Sequence, residues 1–374
     1  MRRRNANFDA CRDAMTSSPR LCSTSLGPSA PYKGTVGKSV VQDESIGVDV
    51  GGTKITALRV GFSGAVLARS RKDTPRGTEQ DLVDAIAEMI GSVRSDRVTA
   101  VGVGLPGIVD AATGALAFVH CLGFQQAPLR ALLEDAQDLP VLTANDANAA
   151  AWAEYRFGAA RGYNHVVMVT VGTGLGCGIV IDGRLLRGAH GFAAEIAHLM
   201  IDPQGPVCGC GNRGCWGVMG SGTTIATLGR EIAATHPESL LALMGKDAAR
   251  ITGETVTLAA QEGDKFAIDI LAEVGRVLGK GLATLANIID PTILVVGGGA
   301  SSAGKLLVRP AQESFVTSVY RQPDRPEVPI VCAELGNDAG AIGVAMLAYE
   351  KFTPCHSHSD SGGEGMTSRD LNND

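Results

Sequence analysis

Asn145 and Asp146 stand where an apolar strand, LPVLTAND, gives way to the Ala-rich run ANAAAWAEYRFGAA. A carboxylate at such a strand end can orient a hydroxyl and accept its proton late in a phosphoryl transfer, a task that needs no raised pKa. Asn and Asp are also favoured helix caps, because their short side chains accept hydrogen bonds from the first free N–H groups of a helix. Both readings fit the pair.

Asp49-Val50-Gly51-Gly52-Thr53-Lys54 joins two β-branched runs, and Thr170-Val171-Gly172-Thr173-Gly174-Leu175-Gly176 does the same further along. Each turn offers backbone N–H groups and a Thr hydroxyl with no side chain in the way of a phosphate. One Gly-Gly turn alone reads as a hairpin, whereas two can grip a polyphosphate from opposite lobes. Neither turn matches GxxxxGK[ST] or passes from strand into helix, so P-loop and dinucleotide-binding readings fail on context. A third cluster, Gly297-Gly298-Gly299, ends a buried strand where a nucleoside has room.

The sharpest local signal is Glu195-Ile196-Ala197-His198 followed by Cys208-Gly-Cys210-Gly-Asn-Arg-Gly-Cys215. Three thiols and one His form a Cys3His set of the kind that holds Zn²⁺ tetrahedrally with no open position, which argues for a structural metal. Three unrelated Cys in a Gly-rich loop is the plainer alternative. Glu195 precedes His198 by one helical turn, so a metal there would also steady a carboxylate facing the cleft.

These groups need a frame. The run SIGVDVGGTKITALRV, then AVLARSRKDT, predicts three strands joined by turns. Leu82, Val83, Ile86, Met89 and Ile90 recur at helical spacing and predict a helix over 79–93, followed by the strand VTAVGVGLPGIVD. NHVVMVTVGTGLGCGIVIDG repeats the strand, Gly turn, strand device, which suggests two similar lobes. A helix through FAIDILAEVGRVLGKGLATLANIID, a buried strand TILVVGGG and a closing helix GAIGVAMLAYEKF complete the body. The expected layout is a small lobe over 45–143, a large lobe with the cysteine loop over 144–338, and helix 339–352 packed back on the small lobe. Residues 1–44 and 353–374, polar and without apolar periodicity, read as disordered tails.

At 374 residues the chain has room for two cores, and its 48 Gly are nearly twice the ordinary share of ~7%. A net charge of −6 argues against a general nucleic-acid binder. No run approaches the ~18 apolar residues of a membrane span, and the basic N-terminus lacks the apolar region of a secretory signal. A soluble, cytoplasmic protein is expected, with nine Cys serving metal binding or burial rather than a disulfide framework.

Taken together, VDVGGTK, GLPGIVD, NDANAAAWAEYRFGA, the stretch from VTVGTGLGCGIVIDG to GAHGFAAEIAH, CGCGNRGCW and VVGGG resemble the ROK family, particularly its glucokinase-like sugar kinases, over residues 46 to 350. The resemblance implies an α/β fold of two actin-like, ribonuclease-H-like lobes closing on a sugar, with ATP and Mg²⁺ supplying the phosphoryl group. By position Asp146 matches the family's catalytic base, and Asn145, Glu195, His198 and Gly107 its substrate contacts. Asp49, Gly51, Gly52, Thr53, Lys54, Gly172, Thr173, Gly174, Gly176, Gly298 and Gly299 match the nucleotide, phosphate and Mg²⁺ region. His198, Cys208, Cys210 and Cys215 match a zinc site, with the His also facing the sugar. Homo-oligomers, dimers or tetramers, are implied as well.

The chain departs from that pattern at three places. Gly217 stands where the family usually has a Glu that grips hydroxyls at the anomeric end of a hexose. His120-Cys121 replaces a common Pro-Asn, and Ala197 replaces a usual Gly. The phosphoryl-transfer parts are intact while the far end of the pocket is edited, and one lost polar partner can shift discrimination by orders of magnitude. The expected activity is therefore ATP-dependent phosphorylation of the primary hydroxyl of a hexose-like polyol, with a hydroxymethyl (C7) cyclitol favoured over glucose. A family repressor would need a DNA-binding module ahead of residue 45, for which 44 residues without helical periodicity are too short. A non-catalytic sugar sensor is disfavoured because Asp146 and the glycine turns are retained.

Overall fold

The computed structural model describes residues 43–353, apart from 120, 121, 123, 125 and 321–323; the two expected tails lie outside them except for their inner ends. Strands β1 (Glu44–Val50), β2 (Lys54–Gly61) and β3 (Val66–Asp73) form an antiparallel meander. Helix α1 (Glu79–Val93) starts at a capping box between Thr78 and Asp81 and buries Leu82, Val83, Ile86, Met89 and Ile90, the residues whose spacing predicted it. β4 (Val98–Leu105) follows, then the short pair β5 (Ile108–Val109) and β6 (Leu116–Phe118), α2 (Leu129–Ala136) and β7 (Val141–Asn145). The first sheet has the order β3-β2-β1-β4-β7, with β1, β4 and β7 parallel.

α3 (Asp146–Phe157) leads to β8 (Val166–Val171), β9 (Leu175–Ile181) and β10 (Arg184–Leu185). A loop follows, with one 3₁₀ turn at Ile196–His198, and then come α4 (Gly217–Gly220), α5 (Gly222–Thr235), α6 (Leu240–Gly245), α7 (Gly253–Gln261) and α8 (Lys265–Ile289). β11 (Ile293–Gly297), α9 (Lys305–Ser318), β12 (Ile330–Cys332) and α10 (Ala339–Phe352) complete the chain. The second sheet, β10-β9-β8-β11-β12, repeats the opening hairpin in β8 and β9 and adds β11 and β12 in parallel.

Small residues bring α10 and α3 unusually close to the strands. A Cβ added to Gly47 of β1 would lie 1.8 Å from the Ala341 carbonyl oxygen of α10, and one on Gly343 of α10 would lie 1.7 Å from the Ala149 carbonyl oxygen of α3. On the far side of α3, a Cβ on Gly178 of β9 would lie 2.3 Å from Ala151 Cβ. The layers therefore run first sheet, α10, α3, second sheet, and the Ala-rich sequences of both helices are what that spacing demands. This is the two-lobed α/β architecture expected from the sequence. No helix among the described residues is long and apolar enough to cross a membrane.

Candidate active site

The parallel ladder sets Asp49 opposite Gly104, Gly104 opposite Ala144, and Leu105 opposite Asn145, so the C-terminal ends of β1, β4 and β7 open together. That edge is where open α/β sheets place their ligands. Asn145 is the N-cap of α3: its Oδ1 accepts the Asn148 N–H at 2.9 Å. Its Nδ2 donates to the Gly107 carbonyl at 3.0 Å, and Gly107 takes a φ of +91° that favours glycine. Asn145 thus ties the loop after β4 to the start of α3, and the capping reading holds for it.

Asp146 begins α3, and its Oδ1 accepts the Ala147 N–H at 2.7 Å. Burial raises its pKa to about 6 against the lowering effect of that N–H, and the charge of Glu195 adds to the rise. Asp49 is pushed up to about 7, by burial first and by the neighbouring Asp146 second. A Cβ on Gly340, in the first turn of α10, would lie 2.7 Å from Asp49 Oδ2, so a glycine there lets the helix start against this carboxyl.

Glu195 immediately precedes the single 3₁₀ turn Ile196–His198 rather than standing on a longer helix. Ala194 has a φ of +69° and Leu199 is extended, which confines the helical geometry to one turn. Burial raises the Glu195 pKa and His198 lowers it. The ligand atoms of His198, Cys208, Cys210 and Cys215 all lie within 4.8 Å of one another. Cys208 Sγ is 3.7 Å from His198 Nδ1, and Cys210 Sγ is 3.6 Å from Cys215 Sγ. With metal–sulfur and metal–nitrogen bonds of about 2.3 and 2.1 Å, a tetrahedral zinc separates its ligands by roughly 3.6 to 3.8 Å, so the donor set fits. Gly214 lets the loop close, since a Cβ there would lie 1.5 Å from the Asp202 carbonyl oxygen.

Gly172, Thr173, Gly298 and Gly299 line one cleft with about 1500 Å³ of empty space, joined by Gly222 and Thr223 at the start of α5. The Gly222 N–H donates to the Gly172 carbonyl at 2.8 Å, and Thr223 Oγ1 donates to the Thr173 carbonyl at 2.6 Å. Gly51, Gly52, Thr53 and Lys54 do not line it; they form the β1–β2 hairpin, closed by the Gly51 N–H on the Lys54 carbonyl at 2.9 Å. Gly174 lines an adjoining cleft of about 980 Å³ with Thr173, Ala197, His198, Cys208 and Gly217. Gly176 packs against α3, where a Cβ would meet Ala147 Cβ at 2.7 Å. His120 and Cys121 lie outside the described residues.

Gly222 and Thr223 carry no phosphate-turn motif, and the signal in Ser221-Gly-Thr-Thr is that of a helix cap, which Ser221 fulfils by accepting the Thr224 N–H.

Residues 45–351 match the model of the ROK family. The chain belongs to the ROK family. It is 40% identical over 310 residues to a glucokinase of Streptomyces coelicolor, across 82% of this chain and 98% of that one. It is 35% identical over 307 residues to an N-acetylmannosamine kinase of Shigella boydii, across 81% and 98% of the two chains. A ROK family glucokinase from Streptomyces griseus, solved with glucose and AMPPNP, superposes with a TM-score of 0.77 at 40% identity, across 82% of this chain and 99% of that one. The two-lobed, actin-like ATPase fold is thus that of this ROK chain.

Proposed function

We propose that this ROK protein is an ATP-dependent kinase that phosphorylates the primary hydroxyl of a hexose-like polyol. The observation that carries the reading is the meeting of Asp49, Asp146 and Glu195 at the strand ends, where Asp146, with a pKa of about 6, is ionised at neutral pH. Its Oδ1 is held by the Ala147 N–H, which leaves Oδ2 to orient the substrate hydroxyl and take its proton. The hydroxyl oxygen then bonds to the γ-phosphorus of ATP as the bond to the ADP oxygen breaks, and the proton ends on Asp146. The Gly172–Thr173 and Gly298–Gly299 backbones suit the nucleotide, and Asn145, Gly107, Glu195 and His198 suit the polyol's hydroxyls.

Mg²⁺, when bound, would neutralise phosphate charge, with Asp49 the acid best placed to hold it. Zinc on His198, Cys208, Cys210 and Cys215 would be structural, since four protein ligands leave no open position. It would fix the turn that carries Glu195.

Substrate choice turns on Gly217, which presents no carboxylate to the cleft beside His198. The favoured substrate is a hydroxymethyl cyclitol, which lacks the anomeric hydroxyl that a Glu would grip. Glucose is the second reading, supported by 40% identity to the Streptomyces glucokinases. Steady-state kinetics with ATP and a panel of hexoses and hydroxymethyl cyclitols test both, and a kcat/KM for glucose above that for every cyclitol returns the protein to the glucokinases.

A further inference from the structure

A half-open recess with about 580 Å³ of empty space lies beside Asn145, away from the groups assigned to phosphoryl transfer. Arg130 of α2, Arg187 just after β10 and Lys351 in the last turn of α10 line it, together with Thr143, Asn145 and Asn148. Neither Asp146 nor any of the glycine turns contributes to its wall. Three cations from three separate elements meet here in a chain whose net charge is −6.

The local carboxylates do not balance them. Arg130 Nε pairs with Glu134 Oε1 at 3.1 Å, which leaves its two terminal nitrogens to serve a ligand. Asp110, the one carboxylate in the wall, has its Oδ1 occupied by the Ala112 and Thr113 N–H groups and the Thr113 hydroxyl. Among the described residues Arg187 and Lys351 form no ion pair, and Lys351 Nζ has only the Phe352 ring, 5.1 Å from its centroid. Burial lowers the pKa of Lys351, and the charges of Arg130 and Arg187 lower it further against a smaller opposing pull from Glu134, so the three cations feel one another. Asn148 adds an independent sign: it is 7% exposed, it lines the recess, and its Oδ1 has no hydrogen-bond partner.

We propose that this recess is a binding site for a small oxyanion, inorganic phosphate or the phosphate group of a phosphorylated metabolite, held between Arg130, Arg187 and Lys351. Two guanidinium groups and an ammonium suit a tetrahedral dianion, because the arginines donate in paired fashion while the lysine acts as a point charge. The anion would relieve the repulsion among cations drawn from both sides of the cleft, since Arg130 sits on α2, which leads into the first sheet's β7, and Arg187 follows the second sheet's β10.

The test is calorimetric titration of inorganic phosphate into the full chain saturated with ADP, so that the nucleotide cleft is filled. Wild type, Arg187→Gln, Lys351→Met and a control, Arg276→Gln, whose arginine pairs with Glu273 elsewhere, are compared. One phosphate per chain is expected for wild type and the control, with affinity at least about tenfold weaker in each recess variant. Phosphate should also raise the Tm of wild type more than that of either recess variant, and without phosphate those variants should melt no lower than wild type, because they lose a repulsion rather than an ion pair. Glycerol phosphate in a parallel titration separates the sources, tighter binding assigning the site to a phosphorylated metabolite and weaker binding to inorganic phosphate. No stoichiometric binding of either anion by wild type, or equal affinity in wild type and both recess variants, overturns the proposal. The ATP-dependent activity is read separately, so failure here leaves that reading standing.

Discussion

Asp49 and Asp146 stand together at the ends of β1 and β7 with Gly104 of β4 between them: a Cβ on Gly104 would touch Asp49 Oδ1 at 3.6 Å and Asp146 Cα at 3.8 Å. Burial raises both carboxyls, Asp146 adding to the rise at Asp49 and Glu195 to that at Asp146, and the two titrate unequally, Asp49 at about 7 and Asp146 at about 6. Unequal titration suits unequal tasks, with the more acidic group left free to accept a proton.

Asp146→Asn keeps the side-chain shape and removes the proton acceptor. Turnover should fall by ~10²-fold or more while ATP and polyol affinity change little. Isothermal titration beside a coupled assay checks both halves. A variant that kept more than about a tenth of the wild-type rate would take the base role away from Asp146.

The raised pKa of Asp49 has a consequence for the metal-free protein. Folding moves this carboxyl from 3.8 to about 7, so the folded chain binds the proton more tightly than the unfolded chain. Its contribution to stability is complete below about pH 3.8 and is lost as pH rises through about 7. In EDTA, Asp49→Asn should therefore raise Tm relative to wild type by about 2 °C or more near pH 8 and by much less near pH 4, while losing activity. Scanning calorimetry across that range decides it, and a variant less stable than wild type at both ends would refute the assigned environment.

The neighbourhood of these two acids was only partly legible in the sequence. Alternation and turn chemistry located the β1–β2 hairpin, 3–4 residue spacing located α1, and the tight Cys and His spacing anticipated the donor cluster at 198–215. Those signals are local. The approach of Asp49 and Asp146 across Gly104 depends on the strand order β1-β4-β7, and nothing in either segment reports it. Gly176 belongs to a turn read as a phosphate loop, and its immediate neighbours, Thr170 Oγ1 and Ala147 Cβ, give it a packing role against α3 that the motif does not report. The cations of the recess come from α2, the chain after β10 and α10, and only the fold collects them.

Cys210→Ser should lower zinc content from about one per chain and reduce Tm by roughly 5 °C or more, because a bound structural metal stabilises only the folded chain. Activity should fall with it through the loosened Glu195 turn. Metal analysis that finds no zinc in active wild-type protein would remove the cluster's structural role.

Gly217 cannot be treated alone. A Cβ on it would lie 3.1 Å from the Ala197 carbonyl oxygen and 3.2 Å from Ala197 Cβ, tight enough that Ala197 must give way. Gly217→Glu by itself should therefore reach the cleft poorly, whereas adding Ala197→Gly removes the Cβ contact and leaves only the backbone at 197 to shift by a few tenths of an ångström. The double variant is expected to shift the ratio of kcat/KM for glucose over cyclitol by about tenfold or more toward glucose, and the single variant by less. Equal shifts in the two would show that Ala197 does not control the space.

Phosphorus NMR of the product reads phosphoryl transfer from ATP to the primary hydroxyl of a polyol at the bond that forms. Purified protein, with ATP, Mg²⁺ and either a hydroxymethyl cyclitol or glucose, should yield ADP and a monoester whose phosphorus couples to the two protons of a CH₂ group. The signal should be abolished in Asp146→Asn and should grow faster with the cyclitol than with glucose. ATP left intact with every hexose and cyclitol tested, or a phosphate on a ring hydroxyl, would rule out that transfer.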